Sequence, residues 1–594
     1  MQRFRSFCAF LLALAAPAGP LLAREGVDQP VSAVKPAPAP WPEGIDGPYL
    51  VGTVAALEGD DEVAARAFRQ AAQLAPGEPA LLRRAFLYSA LAGDDSAVAL
   101  AGRLPGQALA ELVMGNAAVR AAHWADAQAH YDRVRRDPLL VTLRPLLTAW
   151  TLLGAGQGER ALAELDPLVA DRDLGGYYAV HAALIAQAGG WPDRAARYAR
   201  AALATPAAGH DLFTVLALGR WLVGQGQRAQ AERLVDGLLA GAPGLALSRQ
   251  GILTAMDRAP PATPCQGIAQ AYAFLAGLVG QEVARMADPS GRLAHDGGLR
   301  DMRMMMLRFA LGLDPAAGQA RLMLSALQYE AGQAVAARDT LAGALPDDPL
   351  DMVVQLQRAR LDAATGRWDE ANAALLRLTA AQPGQPRIWQ TLGDLQSDRQ
   401  DWQGAEASYS RAIAATGHLT GADWPLLFGR AAAYDRLERW PQAQADLEHA
   451  LALAPDEVLL LNYLGYSLVQ QGRDLPRAES LLRRAVALEP QNAAIRDSLG
   501  WALVRRGHVA EGVVMLERAA EQTPEDQAVN YHLGVAYQES GRLREAINQW
   551  HFAQGLPASD PADAGRISAA LADAARSVHQ VEPPVQAPSG QKKD

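Results

Sequence analysis

Five features of the sequence carry residue types able to do chemistry. In SLGWALVRRG (498–507), two glycines seven residues apart and two arginines could cradle a phosphate. GQGQRAQ (224–230) has the glycine content of a nucleotide loop, and GYSLV (465–469) sets a serine two residues after a glycine, as at a nucleophile elbow. His123 and His130 could share a metal ion. The run DMRMMMLRFALGLDP (301–315) gathers thioethers of the kind that hold Cu(I).

Each falls short of a site. GQGQRAQ lacks the P-loop lysine, GYSLV lacks the second glycine, and the eleven histidines include no HExxH. Met302, Met306, Ala310 and Leu313 recur at helical spacing, so core packing accounts for the methionine run. Lysine occurs only at positions 35, 592 and 593, which removes Schiff-base, P-loop and lysine general-base mechanisms from residues 36–591. The sequence therefore points to a non-enzymatic protein with no cofactor and no metal.

At 594 residues the chain exceeds one ordinary core, so several domains or a repeat array are required. Half the residues are hydrophobic but only 6% are aromatic, which favours helices packed through small side chains. A formal charge of −10 argues against a nucleic-acid partner.

Internal self-similarity organises the chain. From Gly500, small or apolar residues follow at offsets of 12, 16, 19 and 24: Gly512, Leu516, Ala519 and Pro524. The same series starts at Ser325, Ala359, Gly393, Ala431, Gly465 and Gly534, with anchors 34, 34, 38, 34, 35 and 34 residues apart. A small anchor lets a second helix approach closely, and the residues at offsets 12 and 19 share one face of that helix. The closing proline ends the unit. Fainter copies begin at Gly52, Gly115, Ala149 and Ala183, and the register is lost between about 241 and 315.

This period and signature resemble the tetratricopeptide repeat (TPR), as in Leu464-Gly465 with Leu468, Leu499-Gly500 with Leu503, and Leu533-Gly534 with Tyr537. The resemblance implies an all-α fold, a right-handed superhelix of helix-turn-helix repeats. It also implies a concave groove, lined by first helices, that binds extended peptides or partner helices. Positions three before, one after and five after each anchor share that face by helical spacing. They include Phe428, Arg436, Asn462, Tyr466, Gln470, Asp497, Trp501, Arg505 and Tyr531. For Tyr466 and Trp501, packing between neighbouring repeats is the competing role.

The segments that follow are a signal peptide at 1–23, a Pro/Ala-rich linker at 24–48 and an N-terminal degenerate array at 49–240. An irregular helical connector or hinge spans 241–315, a C-terminal array 316–556, and a mostly disordered tail 557–594, with a short helix around Ile567–Val578. Arg3 and Arg5, an apolar run to Ala16 and a small residue at Ala23 form the secretory pattern, with Ala18 as the alternative cleavage point and a retained anchor as the alternative fate. A periplasmic protein with no remaining transmembrane segment is expected. Cleavage would leave Cys265 as the one cysteine, excluding an intramolecular disulfide.

The LNYLGYSL, DSLGWAL and HLG runs further resemble long TPR proteins of proteobacterial envelopes. Some of these are outer-membrane lipoproteins that gather a carboxyl-terminal processing protease and its substrates. The resemblance implies an envelope scaffold or adaptor with protein partners, although Cys8 lies inside the apolar run and not in a lipobox. A component of exopolysaccharide or outer-membrane export is the alternative.

Overall fold

A small residue opposite a large one sets the helix pairing. In the computed structural model, a Cβ added at Gly500 would lie 2.7 Å from Leu516, and one at Gly465 would lie 2.7 Å from Leu482. At Gly115 it would overlap the Tyr131 ring, and at Gly534 the Trp550 indole. In each case the residue 16 or 17 positions on lies across the anchor glycine, so the two helices of the unit close to near contact. Leu482, Leu516, Tyr131 and Trp550 are fully buried as a result.

The structure describes residues 44–134, 140, 142–205, 211–257, 263–286, 297–344, 348–557 and 561–581. The signal peptide and residues 24–43 of the linker lie outside them. Among the described residues every regular element is a helix, and none is long and apolar enough to cross a membrane. Two compact units part between Ala381 and Gln382.

In the first unit, helix pairs run α1 (Asp46–Glu58) with α2 (Asp61–Leu74), α3 (Pro79–Ala92) with α4 (Ser96–Ala101), and α5 (Ala108–Arg120) with α6 (Trp124–Arg133). They continue as α7 (Arg144–Gly154) with α8 (Gly158–Leu165), α9 (Gly175–Ala188) with α10 (Pro192–Leu203), and α11 (Leu212–Gly224) with α12 (Arg228–Gly241). After α13 (Arg249–Met256) come two longer helices, α14 (Pro264–Met286) and α15 (Gly297–Leu313). Then α16 (Gly318–Glu330) pairs with α17 (Ala334–Ala342), and α18 (Asp351–Ala364) with α19 (Trp368–Ala381).

The stretch where the repeat register is lost thus holds regular helices, and α14 lies against first helices of the preceding pairs. Tyr272 of α14 donates to Asn116 Oδ1 of α5 at 2.9 Å. Gly267 sits where a Cβ would overlap the Trp150 ring of α7. Phe274 stacks on Tyr177 of α9 with centroids 3.5 Å apart. Of the α15 residues at helical spacing, Met306, Ala310 and Leu313 are buried and Met302 is half-buried, while Met304 and Met305, off that stripe, are buried as well. His130 bonds the buried Glu111 at 2.7 Å, so its partner is a carboxylate of α5.

Beside α14, His181 of α9 is fully buried and accepts a hydrogen bond from Trp150 Nε1 at 2.9 Å. Burial pushes its imidazole pKa down from 6.5 to about 3. Between those two values the unfolded chain binds the extra proton, so stability present above pH 6.5 is lost as pH falls toward 3.

In the second unit, α20 (Pro386–Asp398) pairs with α21 (Trp402–Thr416), α22 (Trp424–Arg436) with α23 (Trp440–Leu453), and α24 (Val458–Gln470) with α25 (Leu475–Leu488). Then α26 (Ala493–Arg505) pairs with α27 (Val509–Gln522), and α28 (Gln527–Glu539) with α29 (Leu543–Gln554). A last helix, α30 (Pro561–Val581), buries Ile567 and Ala574 against Trp550 and Ala553. It is longer than the short helix expected in that tail, because the two residues, seven apart, cover the apolar side of α29.

The turn inside each pair is left-handed. At Gly507 φ is +85°, while His508 N–H reaches Leu503 O at 2.9 Å and Gly507 N–H reaches Val504 O at 2.9 Å. That bonding satisfies two carbonyls at the end of α26. Glu438 occupies the equivalent place after α22 with φ of +58°, which strains an L side chain.

Three outcomes follow. Gly534→Ala forces the Trp550 indole aside and lowers the unfolding free energy of the second unit by about 1–3 kcal/mol in urea titrations. Glu438→Gly raises it by about 1 kcal/mol. In the first unit, the protection factors of α9 amides, corrected for the intrinsic pH dependence of exchange, fall on acidification below pH 6.5, and His181→Phe removes up to about 1.4 kcal/mol per pH unit of that slope.

Candidate functional site

The nine sequence-selected groove residues all lie on first helices of the second unit. Phe428 of α22 is half-buried and meets Tyr463 of α24 edge to face, with centroids 5.2 Å apart, and Trp424 at 6.0 Å. Tyr463 donates to Asp435 Oδ2 at 3.0 Å, tying α24 to the end of α22. Arg436 is exposed, with its guanidinium over the Trp402 ring at 5.7 Å.

On α24 and α26 the selected residues converge on one residue that the spacing rule did not select. His532 of α28 is buried, with Nδ1 lying 3.0 and 3.1 Å from the two oxygens of Asp497. Trp501 stacks on the same imidazole, with centroids 4.4 Å apart and planes 16° from parallel. Tyr466 approaches it at 6.3 Å and Tyr531 at 5.8 Å. Asp497 and Trp501 are buried in this cluster, so both work in repeat-to-repeat packing. Tyr466, half-buried, also hydrogen-bonds the exposed Gln470 amide.

Arg505 is exposed and sits over the outer part of this cluster, 5.4 Å from the Trp501 centroid. Its neighbour Arg506 turns the other way and pairs with Glu479 of α25. The two arginines of SLGWALVRRG therefore part ways, Arg506 entering an ion pair with Glu479 and Arg505 staying exposed over Trp501.

Two polar atoms on this face are buried without a partner among the described residues: Asn462 Oδ1 and Trp501 Nε1. An unmatched buried acceptor or donor costs about 1–3 kcal/mol, which a partner supplying the missing bond would recover. One is an acceptor and the other a donor, a pattern that a peptide's own N–H and C=O groups complement. Exposed Arg505 and Gln470 flank them with charge and an amide. Among the described residues no group of three His, Cys, Asp or Glu is placed to hold a metal.

His532 and Tyr463 were missed for one reason. Both stand two residues before an anchor glycine, an offset outside the three chosen positions. An aromatic ring at that offset in two units was the available signal.

Paired helices stacked through small-on-large contacts make each unit a helical-repeat solenoid. Residues 356–418, 428–496 and 498–551 match the family profile of the tetratricopeptide repeat, and these segments are tetratricopeptide repeats. A curated relative, cellulose synthase operon protein C of Xanthomonas axonopodis pv. citri (strain 306), is 30% identical over 147 residues. That match covers 22% of this chain and 10% of the relative, so the chain spans a small part of that protein's length. A tetratricopeptide repeat protein from Parabacteroides merdae ATCC 43184 is similar over 43% of this chain and 97% of its own, at 14% identity and a TM-score of 0.35. The Cut9–Hcn1 hetero-tetramer of the APC/C is similar over 89% of this chain and 96% of that one, at 15% identity and a TM-score of 0.37. The repeats are those of a protein–protein interaction scaffold.

Substitutions distinguish the buried from the exposed positions of this face. Trp501→Ala empties a buried ring site and costs about 3–5 kcal/mol of stability. Arg505→Ala, at an exposed position, changes stability by no more than about 0.5 kcal/mol. Guanidinium titrations of the two variants check both values.

Proposed function

We propose that this protein is a non-enzymatic periplasmic scaffold that binds partner proteins on the first-helix face of α22–α28. It acts there as an adaptor delivering substrates to an envelope protease. The observation carrying the binding face is the buried donor and acceptor left unmatched at Trp501 and Asn462 beside exposed Arg505. The N-terminal secretory pattern supports the compartment, and the resemblance to envelope TPR proteins supports the partner class.

A second reading, a component of exopolysaccharide or outer-membrane export, is favoured by the 147-residue similarity to cellulose synthase operon protein C. Affinity capture from the periplasm separates the two. A protease recovered with cell-wall hydrolases supports the adaptor, whereas a polysaccharide synthase or pore supports export. The double variant Asn462→Ala with Arg505→Ala is expected to lose the captured partners. Retention of all of them overturns the assigned face.

A further inference from the structure

In the first unit, α15 does not close completely on α3, α4 and α5. A cavity of about 100 Å³ remains between them. A single water needs roughly 10–15 Å³ on this kind of measure, so there is room for a ligand of several heavy atoms. One wall is apolar, built by Val98, Val113, Phe309 and Leu313.

The polar side of the cavity presents donors without partners. Asn116 is 6% exposed, and its Oδ1 already accepts from Tyr131 and Tyr272 hydroxyls at 2.7 and 2.9 Å. That pair of bonds fixes the amide orientation and leaves Nδ2 as the group still needing a partner. It is buried with none among the described residues. Arg308 Nε is buried in the same state, and Arg308 also lines the cavity. Arg120 stands exposed at the rim. Of the carboxylates nearby, Asp61 and Glu62 of α2 attract Arg308 electrostatically without a hydrogen bond to its Nε, Asp94 is engaged by Arg69 and by Ser96 N–H at 2.8 Å, and Asp95 faces solvent.

Two arginines and a lone amide N–H beside an aliphatic wall define a ligand with an anionic, acceptor-rich end and a branched apolar end. Guanidinium groups match a planar carboxylate, and the amide N–H suits a neighbouring carbonyl oxygen. We propose that this cavity binds a terminal carboxylate adjoining an aliphatic side chain. Arg308 and Arg120 hold the carboxylate, Asn116 Nδ2 donates to the adjoining carbonyl, and the wall formed by Val98 and Leu313 takes the side chain. Such a group is carried either by a free acylated amino acid or by the C-terminal residue of a peptide. The site lies wholly in the first unit and is independent of the face assigned on α22–α28.

Calorimetric titration of the full chain tests this with three probes: N-acetyl-leucine, N-acetyl-leucinamide, and an N-acetylated oligoalanine peptide that ends in leucine with a free C-terminus. N-acetyl-leucine is expected to bind at least tenfold more tightly than its amide. Arg308→Gln is expected to weaken binding by tenfold or more. Gly312→Val provides a steric check, because a Cβ there meets only Arg120 Nη1 at 3.6 Å and so leaves the fold intact while obstructing the cavity. A peptide that binds as tightly as N-acetyl-leucine identifies a chain terminus as the source, and a weaker one identifies a free acid. No binding of either acid at millimolar concentration, or equal binding of acid and amide, overturns the proposal. So does unchanged affinity in both variants.

Discussion

The constraint on which the rest depends is the distance of closest approach between the two helices of a pair. With glycine at the anchor, Leu516 or Trp550 can lie across the facing helix and still be fully buried. A single added carbon at Gly534 would overlap the indole. Each unit therefore has little tolerance in its own interior, and its variable chemistry is displaced to positions off the anchor. Residues such as Asn462, Gln470 and Arg505 occupy those positions.

The two units use their first helices differently. In the second unit they carry the unmatched Asn462 and Trp501 atoms and the exposed Arg505. In the first unit α14 already lies along α5, α7 and α9, which it meets through Tyr272, Gly267 and Phe274. What is left beside α15 is a cavity of small-molecule size, bounded by two arginines and an amide. The same repeat architecture thus presents an open face in one place and an enclosed one in another.

The helix pairs were legible because their rule is local and periodic: an anchor, a large residue about 16 positions on, and small residues around it. The placing of Phe428, Asn462 and Arg505 on first helices was legible for the same reason. Spacing alone could not say that Asp497 and Trp501 would be drawn into packing by His532, because that contact joins separate repeats through stacking and hydrogen bonding. Nor could it show the seating of α14, where Tyr272 reaches a partner 156 residues away. Where packing leaves the 34-residue register, the periodic signal goes silent although the helices remain.

The covering of α29 by α30 has a consequence for association. A stack of like helix pairs has, at each end, a surface shaped to accept another pair, and an uncovered end can join the end of a second molecule. By burying Ile567 and Ala574 over Trp550, α30 takes that place with a helix of the same chain. The apolar side of α29 that another helix pair would meet is thus already occupied from within the chain.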